Sequence, residues 1–250
     1  MLTDVIFKGT NSKLFGKYYK SNNDIMPIVL ILYPETKNDN IPQAVNAVCN
    51  ILKENEFSYF LFNFKKLNAR QQIDEEIDKK EEELLDVISA LNWIASKYSE
   101  SKILWLFSFF STCPTGLQIA MRRPEITDYA LFSPPVKFKD FSFIVPSSAA
   151  GLIVYESTLP NSVDEIVEKL SSKSDSKIET LPLEVVNLEK GENLELLAEP
   201  LNKYIEKRLA DGSGRIKKIR RDRRRRKKKK LLAEEEKTIH ISPIKSLEFD

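Results

Sequence analysis

The chain reads as an α/β protein built on a mostly parallel sheet with helices on both faces, and three observations carry that reading. Ile28 to Tyr33 is a wholly apolar, β-branched run ending at Pro34, the pattern of a strand buried on both faces. Ile103 to Pro124, ILWLFSFFSTCPTGLQIAMRRP, reads as a second buried strand (to about Phe107), a sharp turn (Ser108 to Thr112) and a helix (about Cys113 to Arg123). Between and beyond these, strand-like and helix-like stretches alternate, as βα units do.

Taken in order, Val5 to Phe7 and Leu14 to Tyr19 are two short strands joined by the polar turn Gly9-Thr10-Asn11-Ser12. The Ile28 strand is followed by a polar loop, then by a helix from Pro42 to about Asn55, since proline suits a first helical turn. Tyr59 to Phe64 is the next strand, and polar Leu67 to Asp78 is expected to be a mobile loop. A helix to about Lys97 turns Leu84, Leu85, Ile88, Leu91, Trp93 and Ile94 inward. After the Ile103–Pro124 stretch, Tyr129 to Phe132 and Gly151 to Tyr155 are strands and Val163 to Leu170 a helix. Leu183 to Asn187 is read as a strand and Leu194 to Leu209 as a closing helix.

The chain has 250 residues, 42% of them hydrophobic, enough for one sizeable core. No apolar run approaches the ~20 residues of a membrane span, and MLTDVIFKG does not read as a secretory signal. Two cysteines, Cys49 and Cys113, have no metal-type spacing and fit a reducing cytoplasm. No glycine loop for a nucleotide is present, so no cofactor is expected; the acidic runs Asp74–Glu76 and Glu81–Glu83 read as a solvated helix start rather than as metal ligands.

Charge is unevenly spread. Residues 210–250 hold 15 Lys and Arg against 7 Asp and Glu, a net +8, which leaves −6 on residues 1–209 of the chain's total +2. Residues 1–209 are therefore expected to form the folded domain, and 210–250 a disordered, basic low-complexity tail. The dense part is Arg220, Arg221, Arg223, Arg224, Arg225, Arg226, Lys227, Lys228, Lys229 and Lys230, interrupted only by Asp222. Such a run attracts polyanions through counterion release, and nucleic acid or an anionic surface is its natural partner class. It lacks interleaved aromatics for base stacking.

Several segments of the body resemble the small bacterial α/β-hydrolase family of compact cytoplasmic esterase- or peptidase-like proteins. They are Val5-Ile6-Phe7-Lys8-Gly9, Pro27 to Pro34, Phe62-Asn63-Phe64, Gln118 to Ile126, Asp140 to Tyr155 and Tyr204 to Leu209. The resemblance covers about residues 5–209. It implies a nucleophilic serine in the strand–turn–helix elbow, at the centre of G-x-S-x-G, with an aspartate and a histidine supplied by later loops. Counting back from Gln118 puts Phe110 at the nucleophile position and Ser108 and Thr112 in place of the flanking glycines. Tyr155-Glu156-Ser157-Thr158 stands where the family has its aspartate, and Leu188 or its neighbours where the histidine falls. The loop after Pro34 lacks the family's paired glycines, and the chain has only 7 glycines, against roughly 17 at average usage.

Chemistry agrees with that comparison. A serine hydroxyl attacks a carbonyl only when a base takes its proton, usually a histidine held by a carboxylate. The single histidine, His240, lies beyond the basic run. Ser108 and Ser111 are the only vestigial nucleophile candidates in the turn, and Cys113 reads as a structural cysteine. The expectation is a hydrolase-fold protein that has lost catalysis and keeps a binding or structural role. The alternatives are an active serine hydrolase of ester, thioester or peptide bonds with an atypical site, and a polyanion tether working through the tail.

Overall fold

The structure is a computed structural model that describes residues 2–212 except 11, 24, 37–39, 68–75, 98–103, 136–141, 143, 158–159 and 174–176; for residues 65–67, 76–79, 160–162 and 173 it describes the backbone alone. The expected tail, with Arg220–Lys230 and His240, lies outside the described residues, as does most of the expected loop between Leu67 and Asp78.

Eight strands form one sheet. They are β1 (Leu2–Lys8), β2 (Lys13–Tyr19), β3 (Ile28–Leu32), β4 (Ser58–Leu67), β5 (Leu104–Phe109), β6 (Ile126–Phe132), β7 (Ala150–Glu156) and β8 (Ile178–Leu183). Their order is β1-β2-β4-β3-β5-β6-β7-β8. The β1–β2 and β2–β4 pairs are antiparallel, and every pair from β4–β3 onward is parallel. All five residues of β3 and all six of β5 are buried, as strands at the centre of a doubly covered sheet must be.

The helices are α1 (Gln43–Glu54), α2 (Glu76–Lys97), α3 (Cys113–Arg122), α4 (Pro160–Lys173) and α5 (198–212), the last preceded by a 3₁₀ turn at Leu194–Leu197. Val87, Ala90, Leu91 and Ile94 of α2, Leu117, Ala120 and Met121 of α3, and Val163, Ile166 and Leu170 of α4 share one apolar cluster with Leu30, Leu32, Leu106 and Ile153 of the sheet. The buried residues of α1 (Ala44, Val45, Val48, Cys49, Ile51, Leu52) are not in that cluster, which puts α1 on the opposite face. α1 ends where Glu56 turns left-handed (φ 60) and Phe57, fully buried, donates its N–H back to Leu52 O at 2.8 Å.

The last strand and the closing helix depart furthest from the sequence reading. The last strand is Ile178–Leu183, not Leu183–Asn187. Its half-exposed pattern and Pro182 hide the strand signal, whereas Val186 and Leu188 are apolar because they are buried in the following turn. The backbone bonds Gly151 N–H to Lys177 O and Ser157 N–H to Leu183 O show that odd-numbered β8 residues face β7. Pro182 therefore puts its missing donor on the free edge, where it discourages strand addition. The closing helix also runs through 212, past the expected end at Leu209. By internal contacts the chain divides into two compact units, Met1–Lys203 and Tyr204–Asp250.

Candidate active-site elbow

The central parallel strands deliver their C-terminal ends to one edge of the sheet, the edge where open α/β folds place their sites. β5 runs two residues further than expected, so Ser108 and Phe109 are strand residues. Ser108 pairs in register with Leu32 of β3 and Leu131 of β6, and Phe109 with Phe132. Phe109 is extended (φ −118, ψ 138), Phe110 swings to φ 53, and a 3₁₀ turn over Phe110–Thr112 passes directly into α3. Pro114 sits in the first turn of that helix, where a missing N–H costs nothing.

Phe110 is thus the strained residue of the elbow. An aromatic side chain at positive φ is a genuine outlier and costs about 1–2 kcal/mol relative to right-handed backbone. The count from the helix places that same residue at the nucleophile position of the family pattern. Its ring is half-buried, its centroid 6.0 Å from that of Phe109, and it offers no group that attacks a carbonyl.

The two residues at the ends of the turn differ in what they do: Thr112 holds it, and Ser108 packs beneath it. Thr112 Oγ accepts the Phe109 N–H at 3.2 Å and has the carbonyls of Phe109 (2.8 Å) and Leu32 (3.1 Å) within reach of its own proton. The hydroxyl brackets the turn to the end of β3, so the bend accommodates the β-branched side chain. Ser108 is fully buried, and among the described residues its Oγ has no hydrogen-bond partner. It points at α3: a Cβ on Gly116 would overlap Ser108 Oγ and lie 2.8 Å from Ser108 Cβ. The glycine that allows strand and helix to approach is thus on the helix. Sequence reasoning passed over Gly116, although a glycine inside a helix costs about 1 kcal/mol against alanine and so asks for a packing reason.

Ser111 is exposed, beside Phe110. Cys113 is fully buried, its Sγ 3.3 Å from Ser108 O and 3.6 Å from Phe132 O. Burial pushes its thiol above the ordinary range, so it holds its proton and is no thiolate nucleophile. Phe109 stacks on Phe132 with centroids 4.4 Å apart and planes 7° from parallel, which fills the space between the ends of β5 and β6 with rings.

At the aspartate position, β7 ends in half-buried Tyr155 and Glu156, and Ser157 N–H bonds Leu183 O at 2.9 Å; Thr158 lies outside the described residues. At the histidine position, Leu188 is 1% exposed. It sits in a turn closed by the Asn187–Glu192 bridge and by Gly191 at φ 74, which packs against Gln43 at the start of α1. A side chain held inside at Leu188 fits a core role. Residues 1–212 contain no histidine. Among the described residues no group of three or more His, Cys, Asp or Glu is placed to hold a metal ion, and no helix is long and apolar enough to cross a membrane. Glu83 of the acidic run approaches Thr115 Oγ at 3.5 Å, bridging α2 and α3.

No family model matches the sequence. An uncharacterized protein of Rickettsia prowazekii (strain Madrid E) is 27% identical over 182 residues, 69% of this chain and 75% of that protein. Among solved structures, a protein of unknown function from Agrobacterium tumefaciens, provisionally described as an alpha/beta hydrolase, superposes with a TM-score of 0.69 at 28% identity. The match covers 84% of this chain and 97% of that one. An alpha-beta serine hydrolase homologue from Coxiella burnetii gives 0.66 at 17% identity over 81% and 96%. An esterase from Pyrococcus furiosus gives 0.65 at 14% over 84% and 90%. With its strand order, its two helical layers and its elbow after β5, this chain has the α/β-hydrolase fold.

Proposed function

We propose that this chain is a hydrolase-fold protein that no longer performs serine hydrolysis and serves as a binding or structural protein. The observation that carries the reading is Phe110: the residue with φ 53 at the end of β5 has a phenyl ring where the fold's enzymes have a hydroxyl. Three further features support it. Leu188 is buried where the resemblance puts a histidine, Ser108 is enclosed against Gly116, and the one histidine of the chain, His240, is far along the sequence from the elbow. Two buried free thiols, Cys49 and Cys113, suit a cytoplasmic setting. The test is turnover of short p-nitrophenyl acyl esters by the full chain. The reading expects no saturable activity, and no difference between the wild-type chain and Ser111→Ala. Saturable turnover that disappears in Ser111→Ala favours instead an atypical serine hydrolase of ester, thioester or peptide bonds, the one exposed hydroxyl in the turn being that of Ser111.

A second reading rests on the sequence beyond the described residues and is compatible with the first. In it, residues 1–209 are a folded domain, and Arg220, Arg221, Arg223–Arg226 and Lys227–Lys230 tether that domain to nucleic acid or another polyanion. Retention on heparin that falls steeply with salt and is lost on truncation after Gly212 is the expected result. Retention unchanged by that truncation would refute the tether.

A further inference from the structure

We draw no further inference here: the strongest candidate, the exposed apolar pair Val185 and Leu196 beside the turn that follows β8, is a surface patch with nothing in the structure to show what covers it.

Discussion

Ser108 offers the sharpest separation between a catalytic and a packing role. Its hydroxyl is fully buried, bonds nothing among the described residues and faces the backbone of α3 at Gly116. A buried hydroxyl without a partner carries a desolvation cost of about 1–3 kcal/mol. Ser108→Ala removes that cost and one atom from a tight contact, leaving a gap smaller than a methyl group. The variant is therefore expected to be more stable than the wild type by about 1 kcal/mol. The partner substitution tests the contact itself. Gly116→Ala places its Cβ 2.8 Å from Ser108 Cβ, a clash that rotating the hydroxyl does not relieve. Overpacking of this kind costs about 1–3 kcal/mol, offset by about 1 kcal/mol of helix propensity. Combining Gly116→Ala with Ser108→Gly clears the clash, so the double-mutant cycle is expected to show favourable coupling of about 1–3 kcal/mol. Urea unfolding followed by the fluorescence of buried Trp105 and half-buried Trp93 reads Ser108→Ala and the four species of the cycle. A Ser108→Ala variant destabilised by more than about 1 kcal/mol would show that the hydroxyl has a partner and refute the reasoning.

Three further outcomes are expected. Phe110→Cys puts a thiol at the half-buried tip of the elbow, so one equivalent of maleimide labels the folded variant rapidly. Cys49 (3% exposed) and Cys113 (0%) stay unmodified until urea is added; a silent variant would mean that position 110 faces the core. Thr112→Val keeps the shape but strands the Phe109 N–H, with an expected loss of about 1–3 kcal/mol in urea unfolding; no loss would remove the bracket from the account. Burial raises the Cys49 thiol to about 12 and pushes Cys113, Tyr59 and Tyr129 above their ordinary ranges. In each case the folded state holds its proton more tightly than the unfolded chain does. The stabilisation is complete below the unfolded values of 9.0 for the thiols and 10.0 for the phenols, and is lost as pH climbs from there toward the folded values. Each group that remains protonated in the fold then contributes a loss of about 1.4 kcal/mol per pH unit. Unfolding midpoints that stay flat between pH 9 and 11 would contradict this burial.

The centre of the fold was legible because burial on both faces leaves a strong mark on sequence. Ile28–Leu32 and Leu104–Phe107 are apolar throughout. The elbow was legible through its helix: the spacing back from Gln118 reaches Phe110, the residue with φ 53. Edge elements were harder to read. β8 is half-solvated and carries Pro182, so its pattern is weaker than that of the buried turn after it, and the strand was placed five residues late. The Ser108–Gly116 contact left no trace in periodicity, because it joins two residues eight apart through a turn whose path only the structure supplies. The bracket made by Thr112 was equally hidden, because a side chain's hydrogen bonds depend on the path of the turn.

The proposed loss of catalysis rests on the ring of Phe110, at the point of the elbow where chemistry would need an activated hydroxyl. Intact-mass measurement of the full chain after exposure to a fluorophosphonate tests it directly. An unchanged mass is expected under conditions that fully modify an active serine hydrolase. A single stoichiometric adduct mapped to Ser111 or Ser108 would contradict it.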